Sequence, residues 1–129
     1  MKEIFKDKIG DETFRVSLGN YGQERDLVCT EEERIIFRII SRICEENNLD
    51  ITPLRLTRVS DNYVSAVMDS GSSDYGAMDL VRIKYTNRAK WIMIGPDFKK
   101  TQISRPEDVL NMAEDVVNAY RFNEPYLKR

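Results

Sequence analysis

The sequence predicts a single α+β domain: an antiparallel sheet of four to five strands, built from two hairpins, with two helices on one face. Three observations carry this. Residues 54–94 show two successive pairs of short alternating segments separated by turn residues. Two segments, at about 30–47 and 105–121, instead repeat apolar residues at helical spacing. The 129 residues fit one domain and can bury a core without disulfide or metal support.

Met1 to Ile9 sets Ile4, Phe5 and Ile9 among charges, which suits a short amphipathic helix or an extended segment equally. Glu12 to Leu18 alternates Phe14, Val16 and Leu18 with polar residues, as a half-buried strand does, and Gly19-Asn20-Tyr21-Gly22 ends it. The first helix opens at Thr30, where Thr30 and Glu33 form a capping-box pattern and Glu31 and Glu32 suit the positive end of the helix dipole. Ile36, Ile39, Ile40 and Ile43 form its apolar stripe. Arg34, Arg38 and Arg42 form another face, where glutamates of the same helix lie within pairing distance. Asn47 and Asn48 supply a C-terminal cap.

Leu54 and Leu56 alternate with Arg55 and Thr57. Ser60-Asp61-Asn62 turns the chain, and Val64, Ala66 and Met68 line one side of the next strand. Asp69 to Gly76, DSGSSDYG, has two glycines but neither the GK[ST] nor the following helix of a phosphate-binding loop, so it reads as a connection. Met78 to Ile94 is the second hairpin. A three-residue loop, Thr86-Asn87-Arg88, places Tyr85 opposite Ala89, Ile83 opposite Trp91 and Val81 opposite Met93 as an apolar face. Arg82, Lys84, Lys90 and Ile92 then share the other face, with Lys84 across from Lys90. Like charges so placed repel, which suits a bound anion, an internal carboxylate from another element or a solvated sheet face. Gly95-Pro96-Asp97 breaks the strand, and Lys99 and Lys100 fall in the loop beyond. Ser104 and Glu107 form a second capping-box pattern, and Val109, Met112, Ala113, Val116 and Tyr120 trace the last helix.

The chain carries 20 basic and 22 acidic residues and no histidine. Its commonest general base and metal ligand are therefore missing, and Ser-His and Cys-His catalysis are excluded. Charge is uneven: residues 1–54 hold 8 basic and 12 acidic side chains, residues 55–105 hold 9 and 5, and residues 106–129 hold 3 and 5. Two cysteines, Cys29 and Cys44, do not make a zinc site, and Cys44 lies near the apolar stripe of its helix. No apolar run approaches the roughly 20 residues of a membrane span, and the first residues lack a signal-peptide pattern. A reduced, cytoplasmic, bacterial-type protein without cofactor is expected.

Two functional expectations follow. The first is a small non-catalytic binding or regulatory protein whose basic hairpin, with Arg82, Lys84, Arg88, Lys90, Lys99 and Lys100, contacts an acidic protein or nucleic acid. Arg55 or Arg58 could join from the neighbouring hairpin, and Tyr63 and Tyr75 are the stacking residues. Because the chain is acidic, a protein partner is favoured, and an inhibitor or accessory factor of a nucleic-acid-processing enzyme would satisfy both contacts. The second is a metal-dependent phosphate hydrolase built from Asp69, Asp74 and Asp79 with Lys84. A structural subunit assembling through a sheet edge is a third reading, and the sequence leaves oligomeric state open. Residues 30–95, a helix then antiparallel strands with Arg82-Ile83-Lys84 after Asp69, resemble the restriction-endonuclease-like fold. That resemblance implies that Lys84 matches the family's lysine, but Arg82 stands where an acid is needed. The implied metal site is broken, which leaves a non-catalytic relative.

Overall fold

The computed structural model describes residues 29–60 and 62–127. The segments expected at 1–9 and 12–18, and the turn at 19–22, lie outside them. Helix α1 is Glu31–Glu46, strands β1 to β5 are Leu54–Arg58, Val64–Asp69, Ala77–Tyr85, Lys90–Ile94 and Lys99–Gln102, and α2 is Ala113–Asn123. A 3-10 segment, Pro106–Met112, leads directly into α2. The sheet is an antiparallel meander in the order β1-β2-β3-β4-β5. The fold class is α+β, with the helices packed against the sheet.

Helix α1 begins where the capping box was expected. Thr30 Oγ1 accepts from the Glu33 N–H at 3.2 Å, and Glu33 Oε1 accepts from the Thr30 N–H at 2.7 Å. It stops at two asparagines: Asn47 Nδ2 donates to the Ile43 carbonyl at 2.7 Å, and Asn48 takes the left-handed conformation at φ 62°. Its buried stripe runs through Ile36, Phe37, Ile40, Ile43 and Cys44, with Ile39 only half-buried, so the helix is turned to bury Phe37. In α2 and its lead-in, Val109, Val116, Ala119 and Tyr120 are buried. The acid at the start of that lead-in is Asp108, not Glu107: its Oδ2 accepts from the N–H groups of Ser104 at 2.7 Å and Arg105 at 3.0 Å. Those two bonds hold the Asp108 carboxyl below its ordinary value.

Both helices meet the sheet face formed by Leu54, Leu56, Val64, Ala66, Met68, Val81, Ile83 and Ile92. A bulge interrupts the β2–β3 ladder, where Ala66 pairs with Val81 but Val67 pairs with Asp79. Leu80 is the extra residue and is buried together with Val81. The residues expected as a loop after Gly95 form the fifth strand. Its turn holds Phe98 at φ 53°, with the ring so close over Gly95 that a Cβ there would lie 3.0 Å from it.

Candidate functional site

The β3–β4 register differs by one residue from the one expected. Tyr85 pairs with Lys90, Lys84 with Trp91, Ile83 with Ile92, Arg82 with Met93 and Val81 with Ile94. The loop is therefore four residues, Thr86 to Ala89. Its cause is the Thr86 hydroxyl, which accepts from the N–H groups of Arg88 at 3.2 Å and Ala89 at 3.0 Å while the Thr86 N–H donates to the Ala89 carbonyl at 2.9 Å. A one-residue change reverses the faces of β4. Ile92 enters the core, and Trp91 and Met93 turn to the side that no helix covers among the described residues.

This divides the six basic residues. Arg82, Lys84 and Lys100 lie on this side, which no described helix covers, Lys90 and Lys99 share parity with Ile92 and Ile94 on the other, and the exposed Arg88 is in the loop. Lys84 is not across from Lys90, so the like-charge pair that called for an anion does not exist. Aromatic rings meet the cations instead. Lys90 Nζ is 5.2 Å from the Tyr85 ring centroid and Lys100 Nζ is 5.0 Å from that of Trp91. Arg82 Cζ is 4.4 Å from the Phe98 ring and 6.0 Å from Tyr63. Trp91 and Tyr63 pack with centroids 6.3 Å apart. The bulge places Asp79 and Arg82, three residues apart, on the same face, and Asp79 Oδ2 accepts from Arg82 Nε at 2.9 Å and Nη2 at 2.8 Å.

Accessibility across this face is graded. Ser65 and Val67 at its centre are buried, Tyr63, Arg82, Lys84, Trp91 and Met93 are half-buried, and Lys100 and Gln102 on β5 are exposed. Arg55 is half-buried and held by the carbonyls of Thr52 at 2.6 Å and Leu54 at 2.8 Å. Arg58 does not join: it turns inward and pairs with buried Glu33 at 2.5 Å. Tyr75 does not join either: it is exposed and packs on Tyr126 with centroids 5.0 Å apart.

The aspartates of the hydrolase reading do not share a partner. Asp69 Oδ1 accepts from the Gly71 N–H at 3.0 Å, and Asp79 takes Arg82 and the Ser65 hydroxyl, while Asp74 is exposed in the loop. Among the described residues no group of three Cys, Asp or Glu side chains is placed to hold a metal ion. An open cleft of about 590 Å³ is lined by Asp50, Arg55, Asp69 and Tyr120 among others, and the Tyr120 hydroxyl donates to the Asp50 carbonyl at 2.7 Å. Cys29 and Cys44 are free and buried. Burial pushes the Cys44 thiol up to about 12, and burial, with Glu33 adding to it, pushes Cys29 up to about 11, so neither is a thiolate nucleophile at neutral pH. No helix among the described residues is long and apolar enough to cross a membrane.

The pattern alone did not single out Trp91 and Phe98 as members of this face. The run Trp91-Ile92-Met93-Ile94 is apolar at every position, so alternation cannot choose its inward side, and Phe98 reaches Arg82 only because β5 exists. Compared with known proteins, the chain matches no family model, no curated protein and no solved structure.

Proposed function

We propose that the protein is a non-catalytic binding protein that takes an acidic segment of a partner protein on the sheet face that no described helix covers. The observation that carries this reading is the cluster of Lys84, Lys100 and Arg82 around Trp91 and Tyr63. Trp, Tyr and Arg are the side chains that dominate protein–protein binding energies, and rings that support cations hold them ready for carboxylates. The same cations lie against the rings of Trp91 and Tyr63, which leaves less ring face for nucleobases than a stacking platform needs. The net charge of -2 also opposes general attraction to nucleic acid. Two free thiols fit a reducing compartment, and a regulatory role inside the cell goes with this reading.

The test titrates the protein, followed through Trp91, with a glutamate-rich peptide and with single- and double-stranded DNA and RNA over a salt series. The expected result is peptide binding that weakens with salt and is lost in the Lys84→Glu, Lys100→Glu double variant with its thermal transition unchanged. Nucleic-acid binding lost in the same variant, with no peptide binding, would reassign the face. Binding of neither ligand at low salt would overturn the proposal.

A further inference from the structure

Strand β5 is the accessible border of this face. All four of its residues, Lys99, Lys100, Thr101 and Gln102, are exposed, and among the described residues it has a neighbouring strand on one side only. The ladder fixes which backbone groups are used. The Ile103 N–H donates to the Lys90 carbonyl at 3.0 Å, and Ile92 pairs with Thr101 and Ile94 with Lys99. Hydrogen-bonding alternates along an antiparallel strand, so Lys99 and Thr101 turn their backbone toward β4 while Lys100 and Gln102 turn theirs away. Among the described residues those outward N–H and C=O groups have no hydrogen-bond partner. The opposite border is closed by comparison: Leu54, Leu56 and Arg58 of β1 are buried, and the Leu54 carbonyl accepts from Arg55 Nη1 at 2.8 Å.

We infer that β5 is the docking strand, and that the acidic segment adds beside it as a sixth strand. This rests on the proposed function and specifies the partner's form: an extended backbone carrying carboxylates. The outward groups of Lys100 and Gln102 supply the ladder, and Lys99 and Lys100 present one cation to each face of the added strand. Charge selects the occupant. A second copy pairing through the same strand would bring two lysine pairs onto one four-residue edge, where like charges repel. A segment rich in Glu or Asp meets the opposite sign at both positions.

The test uses the intact, isotope-labelled chain and an acetylated, amidated octapeptide alternating Glu and Val. Two derivatives are N-methylated, one on every Glu and the other on every Val. An added strand faces β5 with one row of amides only, so one derivative loses at least tenfold in affinity and the other keeps most of it. At saturation the Lys100 and Gln102 amides exchange at least tenfold more slowly, with no comparable change at Thr101. In Gln102→Pro, which removes an outward donor and leaves the Thr101 and Ile103 bonds to β4 in place, affinity falls at least tenfold with Trp91 emission unchanged. Equal binding by parent and both derivatives, with Lys100 and Gln102 exchange unaltered, overturns the added strand. If that binding is still abolished by Lys84→Glu, Lys100→Glu, the face of Trp91 and Tyr63 remains the site. No binding of the parent overturns both, and the two lysines then serve only to guard the edge.

Discussion

Removing the Glu33 carboxylate should be the most damaging single change outside the apolar core. Glu33 Oε1 receives both the Thr30 N–H that starts α1 and Arg58 Nη2 at the end of β1, and the side chains of Arg58 and Glu33 are only 9% and 4% exposed. Breaking a buried pair by deleting one partner costs about 3–5 kcal/mol, because the other charge stays buried. Loss of the capping interaction adds about 1 kcal/mol. Among the described residues Arg58 Nε has no hydrogen-bond partner, so the guanidinium is incompletely satisfied from the start and the lower part of the range applies. Glu33→Ala should therefore cost about 4 kcal/mol, a large part of the roughly 5–15 kcal/mol that a domain has. Urea denaturation of Glu33→Ala, Arg58→Met and the double variant measures this. The double variant should cost about 3 kcal/mol less than the sum of the singles, because it leaves no lone charge. A single-variant cost below about 1 kcal/mol, with singles that add, would refute the buried-pair account.

The hairpin register predicts opposite outcomes for neighbours: Ile92→Ala should cost about 2–5 kcal/mol and Met93→Ala about 1 kcal/mol or less in the same denaturation assay, and the reverse order would restore the three-residue loop. The thiols predict an alkaline limit. Their folded values of about 11 and 12 stand above the ordinary 9.0, so the folded state holds protons that the unfolded state releases. Stability should be unaffected below pH 9 and fall as pH rises toward 11 and beyond. Cys29→Ala with Cys44→Ala should flatten that decline, read as urea midpoints across pH. Because Asp69 and Asp79 hold separate partners and Asp74 is exposed in the loop, millimolar magnesium or manganese should leave the thermal midpoint unchanged, and a rise abolished by Asp79→Asn would revive the hydrolase reading.

Where polar and apolar residues alternate strictly, the sequence announced the fold. Val64, Ala66 and Met68 face the helices as expected, and Thr30 with Glu33 marked the start of α1 because a cap needs local chemistry alone. The working face was less legible. Four consecutive apolar residues in β4 carry no parity, and the Thr86 hydroxyl that sets the loop is indistinguishable from any turn threonine until its donors are seen. Lysines at 99 and 100 with polar residues after them look like a loop, yet edge strands use such residues because one side of them meets water. Arg58 looked like a surface cation for want of any local sign that Glu33, 25 residues earlier, awaited it.

The meander has a consequence for the order in which the chain becomes a protein. Each strand after the first pairs with the one just made, so hairpins can close as the chain leaves the ribosome. The apolar side of β3 and β4 cannot be finished then, since Val109, Val116 and Tyr120 have yet to be synthesised. At roughly 5–20 residues per second that interval lasts about 1–5 s. During it Ile83 and Ile92 are without the second helix, and the bond from the Tyr120 hydroxyl to the Asp50 carbonyl, spanning 70 positions, joins α2 to the connection between α1 and β1 only when translation has passed it. A nascent chain halted just beyond β5 is thus the form that a chaperone would recognise.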